Sequence, residues 1–108
     1  MAFKSKAKDA IGTSGSPSIL SDTVGSGATH TVIGLSLANV GTAVVTASVQ
    51  LNKSGAASVF LIKDAVVPLG GALIVVGGEQ KLVLEAGDTI TAYASAASSI
   101  DAAMSYLA

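Results

Sequence analysis

Apolar and small polar residues alternate in three segments of the chain, residues 30–40, 43–51 and 100–106. Successive side chains of a β-strand point to opposite sides, so this alternation predicts three strands with one face toward a core. The residues predicted to face inward are Ile33, Leu35, Leu37, Val45, Ala47, Val49, Leu51, Ile100, Ala102, Met104 and Tyr106. No long segment has the 3.6-residue period of a helix, and serines interrupt the alanine-rich residues 92–103.

Clusters of glycine, asparagine and serine separate the predicted strands. They fall at residues 25–27, 39–41, 52–55, 70–71, 77–78 and 87–88. Turns at spacings near 8–12 residues are typical of all-β sandwiches. We therefore expect an all-β fold, an antiparallel β-sandwich of about eight short strands, with a jelly roll as one candidate topology.

The first 17 residues differ in composition from the remainder. Three of the lysines, Lys4, Lys6 and Lys8, lie here, and residues 12–17 form a glycine- and serine-rich run that ends in proline. Such a run is typical of a flexible connection. We expect a flexible basic N-terminal arm at residues 1–17 and a sandwich domain at residues 18–108.

Two predicted strands, at residues 59–62 and 73–76, are apolar on both faces. Either a loop or the arm covers a central strand, or a second copy of the chain covers one face. The charged fraction of 12% favours the second alternative, because soluble monomers usually carry more surface charge. The candidate interface residues are Val59, Phe60, Leu61, Ile62, Leu73, Ile74, Val75 and Val76.

Composition argues against several classes of partner. The net charge is −1 and the basic residues are all lysines, whereas nucleic-acid binders usually present a basic face with arginines. The longest apolar stretch, residues 65–78, contains Pro68 and is shorter than the roughly 20 residues of a membrane-spanning helix. No apolar segment follows the first lysines, so we expect synthesis in a cytoplasm without secretion. The chain has no cysteine, which excludes disulfides and thiol catalysis.

Candidate catalytic and metal-binding residues are sparse. His30 is the single histidine; a triad would need Ser36 with Asp22 or Asp101 beside it, and the nucleophile motif G-x-S-x-G is absent. Acidic residues fall in two neighbouring turns, and such a set could hold Ca²⁺, although a D-x-D-x-D-G loop is absent. These residues are Glu79, Glu85 and Asp88. We expect a surface histidine, a solvated acidic turn, no cofactor, no metal and no enzymatic activity.

Residues 31–39, 60–73 and 77–90, with the closing residues 105–107, resemble small structural proteins of tailed-bacteriophage virions. That group includes capsid cement (decoration) proteins and small head–tail, neck or tail accessory proteins, and the likeness covers residues 29–107. It implies a non-enzymatic β-sandwich, often a trimer, that binds the major capsid protein or other virion proteins on the capsid exterior.

The resemblance also implies a role for the lysines of the arm. Lys4, Lys6 and Lys8 would reach an acidic capsid surface, so deletion of residues 1–17 would weaken capsid binding and leave the core folded. The alternative is a receptor-binding protein of a neck or fibre, for which Tyr93 is the outward-facing aromatic candidate.

Overall fold

The computed structural model describes residues 2–77 and 80–108, in which nine β-strands and no helix form. The strands are β1 (Phe3–Lys8), β2 (Ser18–Ile19), β3 (Thr29–Asn39), β4 (Val45–Asn52), β5 (Ser58–Val67), β6 (Ala72–Val76), β7 (Leu82–Glu85), β8 (Thr89–Ala94) and β9 (Ile100–Leu107). All the strand pairs are antiparallel. The all-β prediction is confirmed.

The strands form two sheets whose order is that of a jelly roll. Sheet one has the order β1-β9-β3-β6, and sheet two has the order β2-β8-β4-β5. β7 pairs with the first half of β3 and β6 with the second half, so β6 and β7 occupy one strand position in two pieces. Eight strand positions arranged as 1-9-3-6 and 2-8-4-5 make the two interleaved Greek keys of a jelly-roll sandwich.

The core lies between the inner faces of the two sheets. The predicted inward residues of β9 and the first three of β4 are all buried. β9 keeps a strict period of two, whereas in β4 Ser48 is buried as well, beside the register shifts against β5. In β3 the prediction is partly wrong: Val32 is buried and Ile33 is half-exposed. A β-bulge between Val32 and Gly34 causes this difference, since one extra residue reverses the alternation on one side of it.

The N-terminal segment belongs to the sandwich, so the prediction of a separate flexible arm is wrong. β1 pairs with β9 from Phe3↔Leu107 to Lys8↔Ala102. Ile11 is 1% exposed, and its N–H donates to the carbonyl oxygen of Ile100 at 3.0 Å. The prediction was wrong because a charged edge strand and a flexible basic arm can have the same lysine-rich composition.

The two strands that are apolar on both faces are edge strands. β5 ends sheet two and β6 ends sheet one, so a central position for either strand is excluded. Val59, Phe60 and Ile74 are exposed, and Val76 is buried. The other four candidate interface residues are half-buried against the core: Leu61, Ile62, Leu73 and Val75. Coverage by a second copy stays a prediction.

The loops divide the molecule into two ends of different character. One end, here called the apolar end, consists of the loops at residues 9–17, 40–44, 68–71 and 95–99. Asp9 is the sole charged residue in these four loops. The opposite end, the charged end, contains the loops at residues 20–28, 53–57 and 86–88.

Candidate functional site

His30 lies in a side-chain cluster at the charged end. Its ring stacks on Tyr106 with centroids 5.0 Å apart and an interplanar angle of 24°. The Tyr106 hydroxyl donates to Asp22 Oδ2, and Lys6 Nζ lies 2.7 Å from Asp22 Oδ1. The hydrogen bonds from Lys6 and then Tyr106 lower the pKa of Asp22. The bond to Asp22, together with burial, raises the pKa of Tyr106.

The structure does not assemble the catalytic triad considered from the sequence. Ser36 pairs with Ala103 on the outer face of sheet one, whereas Asp22 is bound by Lys6 and Tyr106. Asp101 Oδ1 instead accepts the backbone N–H of Ala10 at 3.2 Å. The hydrogen bonds of Asp22 with Lys6 and Tyr106 therefore fasten β1 and the β2–β3 loop to β9, and His30 packs on the Tyr106 ring.

Asp88 and Lys53 form a second cluster at the same end. Asp88 is 2% exposed, and its Oδ2 lies 2.5 Å from Lys53 Nζ. Its carboxylate also accepts the backbone N–H groups of Ser54 and Glu85, each at 2.9 Å. Lys53 Nζ contacts Glu85 Oε1 at 3.0 Å as well. One buried carboxylate thus joins the β4–β5 loop to the β7–β8 turn.

Electrostatics keep this second cluster ionised. The hydrogen bond from Lys53 and those from two backbone amides lower the pKa of Asp88 to about 2. Hydrogen bonds to the carboxylates of Asp88 and then Glu85 raise the pKa of Lys53. The turn predicted to be solvated is exposed at Glu85, Ala86 and Gly87 and buried at Asp88, where Lys53 supplies a positive charge.

Metal-ligating side chains are dispersed in the described part of the chain. Residues 2–77 and 80–108 contain no group of three histidine, cysteine or carboxylate side chains placed to hold an ion. Glu79, the third candidate calcium ligand, lies outside the described residues. An open cavity of about 470 Å³ lies beside the Lys53 network, between Gly27 and Ala86.

The most distinctive surface is the apolar end. Val40, Val44, Val66 and Leu69 lie in or beside its loops, and each is 57–62% exposed. Burying such side chains against a partner is favourable, at about 25 cal/mol per Å² of apolar surface. Sequence analysis missed this surface, although Val40 inside the predicted turn at residues 39–41 and Leu69 beside the one at residues 70–71 were an available signal.

A buried asparagine holds the apolar end in shape. Asn39 Nδ2 donates to the carbonyl oxygens of Ala43 and Val67, at 2.9 and 3.1 Å. Its Oδ1 accepts the N–H of Gly41 at 3.0 Å. The β3–β4 loop is thereby tied to the end of β5, which keeps the exposed valines in one arrangement.

The lysines predicted to bind a capsid have two different environments. Lys6 is half-buried in its ion pair with Asp22, whereas Lys4 and Lys8 are exposed on the edge strand. Lys8 is the residue of β1 nearest the apolar end, because β1 runs toward that end.

None of the described residues forms a helix long and apolar enough to cross a membrane.

Comparison with known proteins gives no family or function for the chain. No protein-family model, curated protein or solved structure matches the chain.

Proposed function

We propose that this chain is a non-enzymatic structural protein of a tailed-bacteriophage virion, a capsid cement or decoration protein. It is made in the host cytoplasm, associates with itself, and binds the major capsid protein or a neighbouring virion protein on the capsid exterior. The apolar end is the observation that carries the proposal, and the sequence resemblance supports it.

The apolar end has the properties of a docking surface. Its exposed apolar side chains lie on loops that Asn39 fixes, so binding requires little additional ordering. Several exposed apolar side chains at one end of a small protein favour an interaction site over a solvated surface. At the charged end, by contrast, Lys53 is paired with both Glu85 and Asp88. We therefore assign the apolar end to the capsid and the charged end to solvent.

The lysine at the rim has a secondary role in this proposal. Lys8 lies beside the apolar end, where a basic side chain would contact an acidic capsid surface around an apolar centre. Lys6 is bound to Asp22 and contributes through the stability of β1. An exposed contact of this kind contributes about 1 kcal/mol or less.

Stabilisation of the capsid follows from linkage. A protein that binds only the assembled shell lowers the free energy of that state by RT ln(1 + [L]/Kd) for each independent site. At a free concentration of 100 times Kd this is about 2.7 kcal/mol per site. Hundreds of such sites would stabilise a capsid without catalysis.

The test is co-sedimentation with empty heads of the virus whose genome encodes the chain. A double variant, Val40→Ser with Leu69→Ser, reduces apolar area at the apolar end without touching Asn39. We expect roughly a tenfold or greater loss of head binding, because two exposed apolar side chains lose their burial. Ile19→Ser is the matched control, since Ile19 is 58% exposed on the outer face of sheet two.

Three outcomes contradict the proposal or redirect it. Failure of the wild-type protein to bind heads at tens of micromolar contradicts capsid binding. Equal binding by the double variant removes the apolar end from the interface. A copy number near a dozen per virion, instead of hundreds, assigns the protein to a neck or fibre.

A further inference from the structure

A groove runs over the outer face of sheet one, where β6, β3 and β9 lie side by side. Its volume is about 240 Å³, and Gly34, Ser36, Ala103 and Ser105 line it. Ile74 forms one wall and is 66% exposed. A large apolar side chain thus lies directly beside an open groove of small residues.

The groove exists because its residues are small and because β3 is irregular. β3 has one bulge against β9, between Val32 and Gly34, and one against β6, between Leu35 and Ser36. A Cβ atom added at Gly34 would meet no atom closer than Val76 O, at 4.0 Å. Empty space therefore lies above Gly34, and the fold itself does not require glycine there.

The described strand residues around the groove are uncharged. They have apolar or hydroxyl side chains, or none, and among the paired strand positions the charged residues on this face are Asp101 and Glu85 at its ends. Its members are Phe3, Ser5, Ala7, Thr31, Gly34, Ser36, Ala38, Ala72, Ile74, Val83, Ala103, Ser105 and Leu107. A second copy would approach this face without repulsion between like charges.

Two edges of the sandwich are protected against strand pairing. β1 carries three lysines, and β5 is interrupted near Lys63 and Asp64, where its register against β4 shifts. Asp64 has a positive φ of 50°, and its N–H donates to Ser48 Oγ at 2.9 Å. Charges and bulges of this kind disfavour edge-to-edge association. Association through the outer face of sheet one requires neither of these two edges.

We infer that the outer face of sheet one pairs with the same face of a second copy, and that Ile74 of each copy enters the groove of the other. An apolar knob and its groove on one flat face can satisfy each other reciprocally only across a two-fold axis. The contact thus gives a dimer, or an even-numbered assembly, where the resemblance to cement proteins implies a trimer.

The available area fits a modest specific dimer. Four strands about 4.8 Å apart and roughly 20 Å long give a flat footprint on the order of 400 Å² per copy. The accessible area of a surface with projecting side chains exceeds its footprint, so a pair buries close to the 1,000 Å² that a specific interface needs. The inference does not depend on the proposed virion function, because it uses a different surface.

The experiment is sedimentation equilibrium of the full chain at 1–500 μM, with two interface variants. Ile74→Ser removes the knob, and Gly34→Val fills the groove with a residue that suits a strand. We expect the wild type to dimerise and each variant to weaken dimerisation roughly tenfold or more. Ile19→Ser, at a similarly exposed site on the other sheet, is expected to dimerise like the wild type.

Several results overturn the inference. A wild-type protein that stays monomeric to 500 μM excludes the pair, and a trimer excludes the two-fold contact. Unchanged dimerisation of Ile74→Ser, in a variant whose circular dichroism matches the wild type, removes this face from the interface. Head binding is measured separately with the apolar-end variants, so the two proposals fail independently.

Discussion

At the scale of single residues, a buried carboxylate closes the charged end of the molecule. Asp88 is nearly inaccessible, yet it accepts hydrogen bonds from Lys53 Nζ and from the backbone N–H groups of Ser54 and Glu85. A carboxylate with these partners is stabilised in its ionised form. The stability of the fold is therefore expected to depend on pH in the acidic range.

The direction of this pH dependence follows from the pKa of Asp88, which falls from 3.8 to about 2 on folding. Because the folded-state pKa is depressed, its contribution is fully present above about pH 4 and is lost as pH falls toward 2. Asp22, whose pKa is also lowered, adds to the same trend. We expect the wild-type melting temperature to fall between pH 4 and pH 2, measured by circular dichroism.

The variant Asp88→Asn tests whether Asp88 causes the loss of stability between pH 4 and pH 2. It removes the charge facing Lys53, and we expect the melting temperature at pH 7 to drop by on the order of 10 °C. The variant should also lose less stability than the wild type between pH 4 and pH 2. Glu85→Gln is the control, since Glu85 makes an exposed contact with the same lysine. If the melting temperature of Asp88→Asn falls with pH as steeply as that of the wild type, Asp88 does not cause the pH dependence.

The hydroxyl of Tyr106 has a separate effect on stability. Tyr106→Phe retains the stacking on His30 and removes the hydrogen bond donated to Asp22. Asp22 keeps Lys6 as a partner, so we expect a modest loss of about 1 kcal/mol in the free energy of unfolding, measured in urea. A loss above about 3 kcal/mol would mean that the hydroxyl contributes more than this one hydrogen bond.

At the scale of elements, β1 is the strand whose role sequence patterns least revealed. Its lysines alternate with Ser5 and Ala7, a pattern that an exposed tail and a charged edge strand share. The difference lies in β9, which offers β1 a complete set of partners from Ala102 to Leu107. A local sequence pattern cannot reveal that β1 pairs with β9, because the two strands lie at opposite ends of the sequence.

Deletion of residues 2–11 is therefore expected to destabilise the fold, contrary to the behaviour of a flexible arm. The deletion removes the neighbour of β9 and the buried side chain of Ile11. Ile11→Ala alone should lower the free energy of unfolding by about 3 kcal/mol, because it leaves a cavity. Lys8→Ser is the control and should change it by less than about 1 kcal/mol. A deletion variant that unfolds like the full chain would restore the arm interpretation.

The inner faces of the other strands were predicted best where buried and exposed residues alternate regularly. β9 follows the period of two, so its buried residues were predicted correctly. In β4 the burial of Val45, Ala47 and Val49 was predicted, whereas that of Ser48 was not. Bulges in β3 and β5 change which residues face inward, and neither bulge has a local sequence pattern that fixes its position. The edge positions of β5 and β6 depend on strand order, which their apolar composition does not reveal.

At the scale of the whole molecule, the jelly roll brings the two ends of the chain together. The N–H of Ala2 donates to Ala108 O at 2.6 Å, and the N–H of Ala108 donates to Ala2 O at 2.9 Å. The strands next to these residues are neighbours in sheet one. Joined termini should therefore preserve the fold.

A circular permutant tests this topology. Residues 108 and 2 are joined by a short glycine–serine linker, and the chain is opened between Ser14 and Gly15, in an exposed loop. We expect a melting temperature within about 10 °C of the wild type, because no strand pair is broken. A permutant opened between Ser36 and Leu37, inside β3, should fail to fold. Failure of the first permutant would contradict the β1–β9 pairing.

The amino-acid order alone determined the fold class, the approximate strands and most of the inner faces, because alternation and turn residues act between near neighbours in the chain. Tertiary structure decided the partners of β1, the bulges, the Asn39 and Asp88 contacts and the two apolar surfaces. Lys53 and Asp88, for example, meet across 35 positions of sequence. Contacts of that separation depend on how the sheets stack, and stacking is a property of the whole chain.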